Sequence, residues 1–155
     1  MERQDVDMSE TVRSVIAELR VSEPWQLPQV TIGDLGMARA DPTTIRQVFA
    51  NLLSNAWKFT SKTADPHVEV SRTDEEGAVT FVVRDNGAGF DERHKAKLFE
   101  VFQRLHSESE FHGTGIGLAL VRRIVRRHGG IVRAESHPGE GATFSFSLPT
   151  EGEIA

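Results

Sequence analysis

The sequence has no cysteine. That excludes disulfide cross-links and any metal centre built on thiolates. No apolar run approaches the roughly 20 residues that a membrane-spanning helix needs. The opening, Met1-Glu2-Arg3-Gln4-Asp5, is acidic where a secretory signal is basic and then apolar, so a cytoplasmic location is expected. Basic charge is also short: 18 Lys and Arg stand against 23 Asp and Glu, a net charge of −5. Neither nucleic acid nor an anionic membrane surface is therefore an expected partner. Repeats, low-complexity segments and internal linkers are missing as well. What remains is 155 residues, 38% of them hydrophobic, enough for one domain with its own core over residues 1–155.

The stretch Asp41 to Thr60, DPTTIRQVFANLLSNAWKFT, is the best-defined element. Asp41 can cap free N–H groups and Pro42 suits the first helical position. Ile45, Val48, Phe49, Leu52, Leu53 and Ala56 then recur at three and four residues, one apolar face. Gln47, Asn51, Asn55, Lys58 and Phe59 follow the same spacing beside it. Asparagine is a poor helix former, because its amide competes for nearby backbone groups. Two of them four apart are open to two readings: a polar edge in water, or amides lining a site. In the second, Asn55 offers a carbonyl oxygen to a hard cation and Lys58 faces an anion.

Around this helix the pattern predicts a strand over Gln4 to Met8 and a helix capped by Ser9, with Val12, Val15, Ile16 and Leu19 inward. Strands are expected at Gln29 to Ile32, Met37 to Ala40, His67 to Thr73, Val79 to Asp85, Ile131 to Ser136 and Thr143 to Leu148. A charged helix is expected over Glu92 to Phe102, then a polar stretch from Gln103 to His112, then a last helix ending near Gly129-Gly130. Few helices and paired strands imply an α/β (α+β) two-layer sandwich, its sheet mixed but mostly antiparallel and its helices packed on one face.

Two glycine segments carry chemistry. Asp85-Asn86-Gly87-Ala88-Gly89-Phe90 ends a strand. As a hairpin turn it should lead into another strand, but Asp91-Glu92-Arg93-His94-Lys95 looks helical. A carboxylate beside Phe81, Val82 and Val83 could accept from an exocyclic amine in an apolar slot, with Gly87 and Gly89 admitting a flat ring. Gly113-Thr114-Gly115-Ile116-Gly117-Leu118 opens a helix, where free N–H groups can hold phosphate. A P-loop is excluded, since no Gly-Lys-Ser/Thr follows. A dinucleotide fingerprint, with Glu135 as the ribose acid, stays open, as does a loop with no ligand. Together, Asp85, the glycine loop and the helix amides supply the parts of a nucleotide site.

At this point the chain resembles the ATP-binding catalytic domain of sensor histidine kinases, nearest the phytochrome-like and PAS-linked ones. Asn51-Leu-Leu-Ser-Asn55-Ala-Trp-Lys58-Phe59-Thr60 resembles the asparagine box, Asp85 to Phe90 the first glycine box, Leu98-Phe99-Glu-Val-Phe102 the phenylalanine box and Gly113 to Leu118 the second glycine box. The resemblance implies the histidine kinase-like ATPase fold, and ATP with Mg²⁺ as ligands. Asn55 is then the Mg²⁺ ligand with Asn51 beside it, and Lys58 contacts phosphate, so that Asn51 and Lys58 are the candidate catalytic residues. Phe59 packs near the base, and Asp85 takes the adenine amino group with Gly89 and Thr143 alongside. Residues 103–112 form a lid with Arg104 a candidate phosphate contact. Gly113, Thr114, Gly115, Gly117 and Leu118 wrap the phosphates.

In related ATPases the position of Asn51 is a glutamate that activates water, and an amide is a poor general base. The resemblance therefore implies a kinase that holds ATP for a histidine nucleophile. That histidine belongs to a helical dimerisation and phosphoacceptor domain, expected to lie outside this chain with the sensor domains, and a response regulator would act downstream. His67, His94, His106, His112, His128 and His137 are expected to be structural or solvated. Arg122, Arg123, Arg126 and Arg127 form a basic run, expected to be a solvated helix face. A monomer is expected for this domain by itself. Alternatives are a regulatory ATP- or ADP-binding module without transfer, an ATP hydrolase, and a serine-directed kinase acting on a transcription-factor regulator.

Overall fold

A computed structural model describes residues 1–24, 28–89, 116–136 and 139–150. Strand β1 (Gln4–Asp7) leads directly into helix α1 (Met8–Ser22). Strands β2 (Gln29–Ile32) and β3 (Met37–Ala40) precede helix α2 (Pro42–Phe59). Strands β4 (His67–Glu75) and β5 (Ala78–Asp85) form a hairpin, and helix α3 (Ile116–Arg127) is followed by β6 (Val132–Ser136) and β7 (Ala142–Pro149). The helix expected over 92–102 and the polar stretch at 103–112 lie outside the described residues.

Five strands form the main sheet in the order β2-β4-β5-β7-β6, parallel at β2–β4 and antiparallel elsewhere. The mixed, mostly antiparallel sheet with helices on one face is thus as the sequence implies. Two strands lie outside this sheet. β3 pairs antiparallel with β1 in a separate two-stranded sheet and not with its neighbour β2.

The start of α1 differs from the expectation. Asp7, not Ser9, is its cap: the Asp7 carboxylate accepts from the Glu10 N–H at 3.1 Å. Both residue types cap well, so packing decides. Met8 is fully buried and joins Val12, Val15 and Ile16 on the inner face when the helix starts at Met8. Ser9 serves elsewhere, its hydroxyl accepting from the Leu35 N–H at 3.1 Å.

α2 lies on the sheet through the face that its spacing predicts. Phe49 meets Phe81 and Phe146 edge-on, at centroid distances of 5.8 and 5.2 Å. Such pairs contribute about 1 kcal/mol beyond the burial of their area. Asp41 caps α2 by accepting from the Thr43 and Thr44 N–H groups at 3.0 and 3.1 Å. The Thr44 N–H, with those of Glu2 and Thr43, holds the Asp41 carboxyl below the usual carboxylate range.

His128, just past α3, is structural: it is buried, Nε2 accepts from the Asp41 N–H at 3.1 Å and Nδ1 donates to the Ile124 carbonyl at 2.9 Å. The end of α3 is thereby tied to the start of α2. His67 lies at the first position of β4, with its ring 3.2 Å from the Thr31 hydroxyl. His94, His106, His112 and His137 lie outside the described residues. Among the described residues no helix is long and apolar enough to cross a membrane.

Candidate functional site

The C-terminal half of α2 carries Asn51, Asn55 and Lys58, all half-buried, along one edge of its apolar face. Four- and three-residue steps put them on one line. Neither the Asn55 nor the Lys58 side chain makes a hydrogen bond or ion pair to the described residues. Asn51 does: its Nδ2 donates to the Gly117 carbonyl in the first turn of α3 at 3.3 Å. Gly117, the last glycine of the second segment, therefore meets Asn51. Gly113, Thr114, Gly115 and Arg104 lie outside the described residues. Leu118 is buried in the apolar core, which leaves its backbone to face a ligand.

Asp85 ends β5 on the inner face of the sheet and is only 4% exposed. Burial pushes its carboxyl up to about 6, against the Gly87 and Ala142 N–H groups, which pull it down. The Gly87 N–H is 2.8 Å from Asp85 Oδ1. A buried carboxylate held by backbone donors has a fixed direction, which suits it to accept from a ligand amine.

The loop after Asp85 is stitched to the end of α2. Ala88 N–H donates to the Phe59 carbonyl at 3.0 Å, and a Cβ at Gly87 would overlap that carbonyl oxygen. Gly87 thus makes room for the protein's own backbone, whereas the sequence suggested a ligand ring there. Gly89 holds a left-handed φ of 73°, which favours glycine. Phe59 is itself buried in the core. Asn86 has a part that the sequence reading missed. Its Oδ1 accepts from the His67 N–H and its Nδ2 donates to the Asp65 carbonyl, both at 2.8 Å. These bonds anchor the loop to the start of β4.

Thr143 is not brought to Asp85. In the β5–β7 pairing it lies opposite Arg84, while Ala142 lies opposite Asp85. Side chains alternate along a strand, so Thr143 points to the outer face with Arg84 and Ala142 is the inner neighbour. Glu135 pairs with Thr143 on that outer face, away from the helices. The dinucleotide arrangement that would use it as a ribose acid is therefore not formed. Arg123, Arg126 and Arg127 are exposed on α3, and none of its four arginines pairs with a described carboxylate. Among the described residues no cluster of three His, Asp or Glu could hold a metal ion.

The family described as histidine kinase-, DNA gyrase B- and HSP90-like ATPase matches residues 40–152. The phytochrome-like protein Cph1 of Synechocystis sp. is 37% identical over 92% of the chain and 19% of its own length. The circadian input-output histidine kinase CikA of Synechococcus elongatus is 42% identical over 73% of the chain and 15% of its own length. The chain thus spans about a fifth or less of these curated relatives. Among solved structures, the nucleotide-free catalytic domain of histidine kinase ThkA superposes with a TM-score of 0.78 at 25% identity, covering 96% of this chain and 98% of that one. Full-length ShkA in complex with AMPPNP gives 0.80 at 28% identity, covering 96% and 31%.

Proposed function

The chain belongs to the histidine kinase-, DNA gyrase B- and HSP90-like ATPases, and from that premise we propose that it binds Mg-ATP and passes the γ-phosphoryl group to a histidine on a separate helical acceptor domain. A response regulator then acts downstream, and the reaction takes place in the cytoplasm. The observation that carries this reading is the convergence of three elements. A buried carboxylate at the end of β5, an amide and a lysine on α2 without partners among the described residues, and the first turn of α3 meet around the C-terminal half of α2. The AMPPNP bound by ShkA supports the nucleotide.

Asp85 accepts the adenine amino group in this reading, and Lys58 faces phosphate. Asn55, whose side chain has no described partner, is the fitting oxygen donor for Mg²⁺. That ion characteristically takes one or two protein oxygens and completes its shell with phosphate and water. When bound it neutralises phosphate charge. No carboxylate stands on the α2 edge beside Asn55 to activate water, so transfer to an acceptor is favoured over hydrolysis.

The test is to incubate the chain with γ-labelled ATP, Mg²⁺ and a helical, histidine-bearing acceptor fragment. Label that is lost in acid but kept in base is expected on the acceptor. Acid-stable label would mean a serine acceptor, and rapid release of free phosphate would mean a hydrolase. No label anywhere, with ATP still bound, would mean a regulatory nucleotide module.

A further inference from the structure

We propose that Asn51 is a positioning residue for the phosphate half of the site: one N–H of its amide ties the first turn of α3 to α2, and its carbonyl oxygen stays available to a ligand. The inference rests on the nucleotide-site reading above and adds a division of labour between the two asparagines.

The tie is one long-range hydrogen bond, at the long end of the usual N–H···O range. Asn51 Nδ2 lies 3.3 Å from the Gly117 carbonyl oxygen, in a part-buried position. A Cβ at Gly117 would stand 3.5 Å from Asn51 Cγ, so the Asn51 side chain is in van der Waals reach of the glycine. The two residues are 66 apart in sequence. Asn55, one turn further along α2, makes no such bond. The two asparagines that look equivalent in the sequence are therefore unlike in the fold: one is committed to α3 and the other has no partner among the described residues.

α3 is tied to α2 by a polar bond at each of its own ends. At one end the His128 ring accepts from Asp41, the cap of α2. At the other, Asn51 donates to Gly117, where α3 begins. The His128 bond is part-buried and joins α3 to the start of α2, the end opposite Phe59. The Asn51 bond is the one at the site, so it sets where the start of α3, and any anion held there, stands relative to Asn55 and Lys58. The donor is what matters. An aspartate of the same shape would set a carboxylate oxygen against the Gly117 carbonyl oxygen, replacing attraction with repulsion.

The test uses the whole chain with Asn51→Ala and Asn51→Asp. Backbone amide exchange is followed without ligand, and binding of adenosine, Mg-free ATP and Mg-ATP is measured by titration. Loss of one neutral hydrogen bond corresponds to about a fivefold change. Exchange over 118–121 is expected to be about fivefold faster in both variants. Mg-free ATP is expected to bind about fivefold more weakly to Asn51→Ala, while adenosine binds as to wild type. General destabilisation would not produce that phosphate-selective loss. Asn51→Asp, which keeps the oxygen, is expected to be no better than Asn51→Ala. Unchanged exchange, with a loss confined to Mg-ATP, would overturn the proposal and make Asn51 a metal ligand alone. Failure of wild type to bind any nucleotide would overturn the site itself, and the exchange comparison would still decide whether the tie exists.

Discussion

Asp85 holds the tension between stability and function in one side chain. It is buried without a cationic partner among the described residues, and burial raises its carboxyl to about 6 from an ordinary 3.8. The unfolded chain releases this proton at lower pH than the folded one. Stability should therefore fall as pH rises from about 4 to about 6 and level off above that. Near neutral pH the buried charge costs on the order of 3 kcal/mol. Asp85→Asn removes that charge and keeps an oxygen for the Gly87 N–H. It should match or exceed wild type in melting temperature at pH 7.5, while adenine affinity collapses because the acceptor for the amino group is weakened. Adenosine binding to wild type should weaken below about pH 6, as Asp85 takes up its proton, and should lose that dependence in Asp85→Asn. Titrations between pH 5 and 8 measure both. Gly87→Ala is the contrasting change. Its methyl would overlap the Phe59 carbonyl, so the loop must leave α2 at a cost of about 2 kcal/mol. A fall of about 6 °C in melting temperature is expected, together with weaker nucleotide binding.

At the scale of elements, α2 was legible because its cap, its proline and its apolar spacing agree. Asp41, Pro42 and the Ile45 to Ala56 face all do in the fold what their residue types suggest. What was not legible depends on register or on pairing over long sequence distances. Thr143 and Ala142 are adjacent, and a one-residue choice in a strand exchanges the inner and outer faces. Capping chemistry alone could not separate Asp7 from Ser9, since the decision lay with the burial of Met8. The pairing of β3 with β1, and the bonds Asn51–Gly117 and Asp41–His128, join residues that no local pattern links. The last of these makes a prediction. His128→Ala leaves the Asp41 N–H without its acceptor and opens a cavity, which should destabilise the chain by about 3 kcal/mol. A thermal melt should show a fall near 9 °C. Gly117→Ala acts in the opposite direction: its methyl meets Asn51 at ordinary contact distance, and alanine favours helix by up to about 1 kcal/mol. Its melting temperature should rise slightly, and ATP affinity should fall if phosphate needs the bare backbone at Gly117.

Across the whole molecule, one apolar core between helices and sheet holds parts of a site that lie far apart in the sequence. The sheet brings Asp85 to the end of β5, the core sets α2 beside it, and α3 packs against α2. Helices cover one face of the sheet, and the other presents Arg84, Thr143 and Glu135. Ligand binding to the folded chain should appear as added stability. ATP at about a hundred times its dissociation constant should contribute roughly 2.7 kcal/mol, a rise of roughly 5–10 °C. The measurement that tests the account most directly is calorimetric titration of ATP with Mg²⁺ into wild type and Asp85→Asn at pH 7.5, with both melts recorded. The account predicts saturable binding by wild type and none by an equally stable Asp85→Asn. Equal binding by the two proteins, or none by a folded wild type, would contradict it.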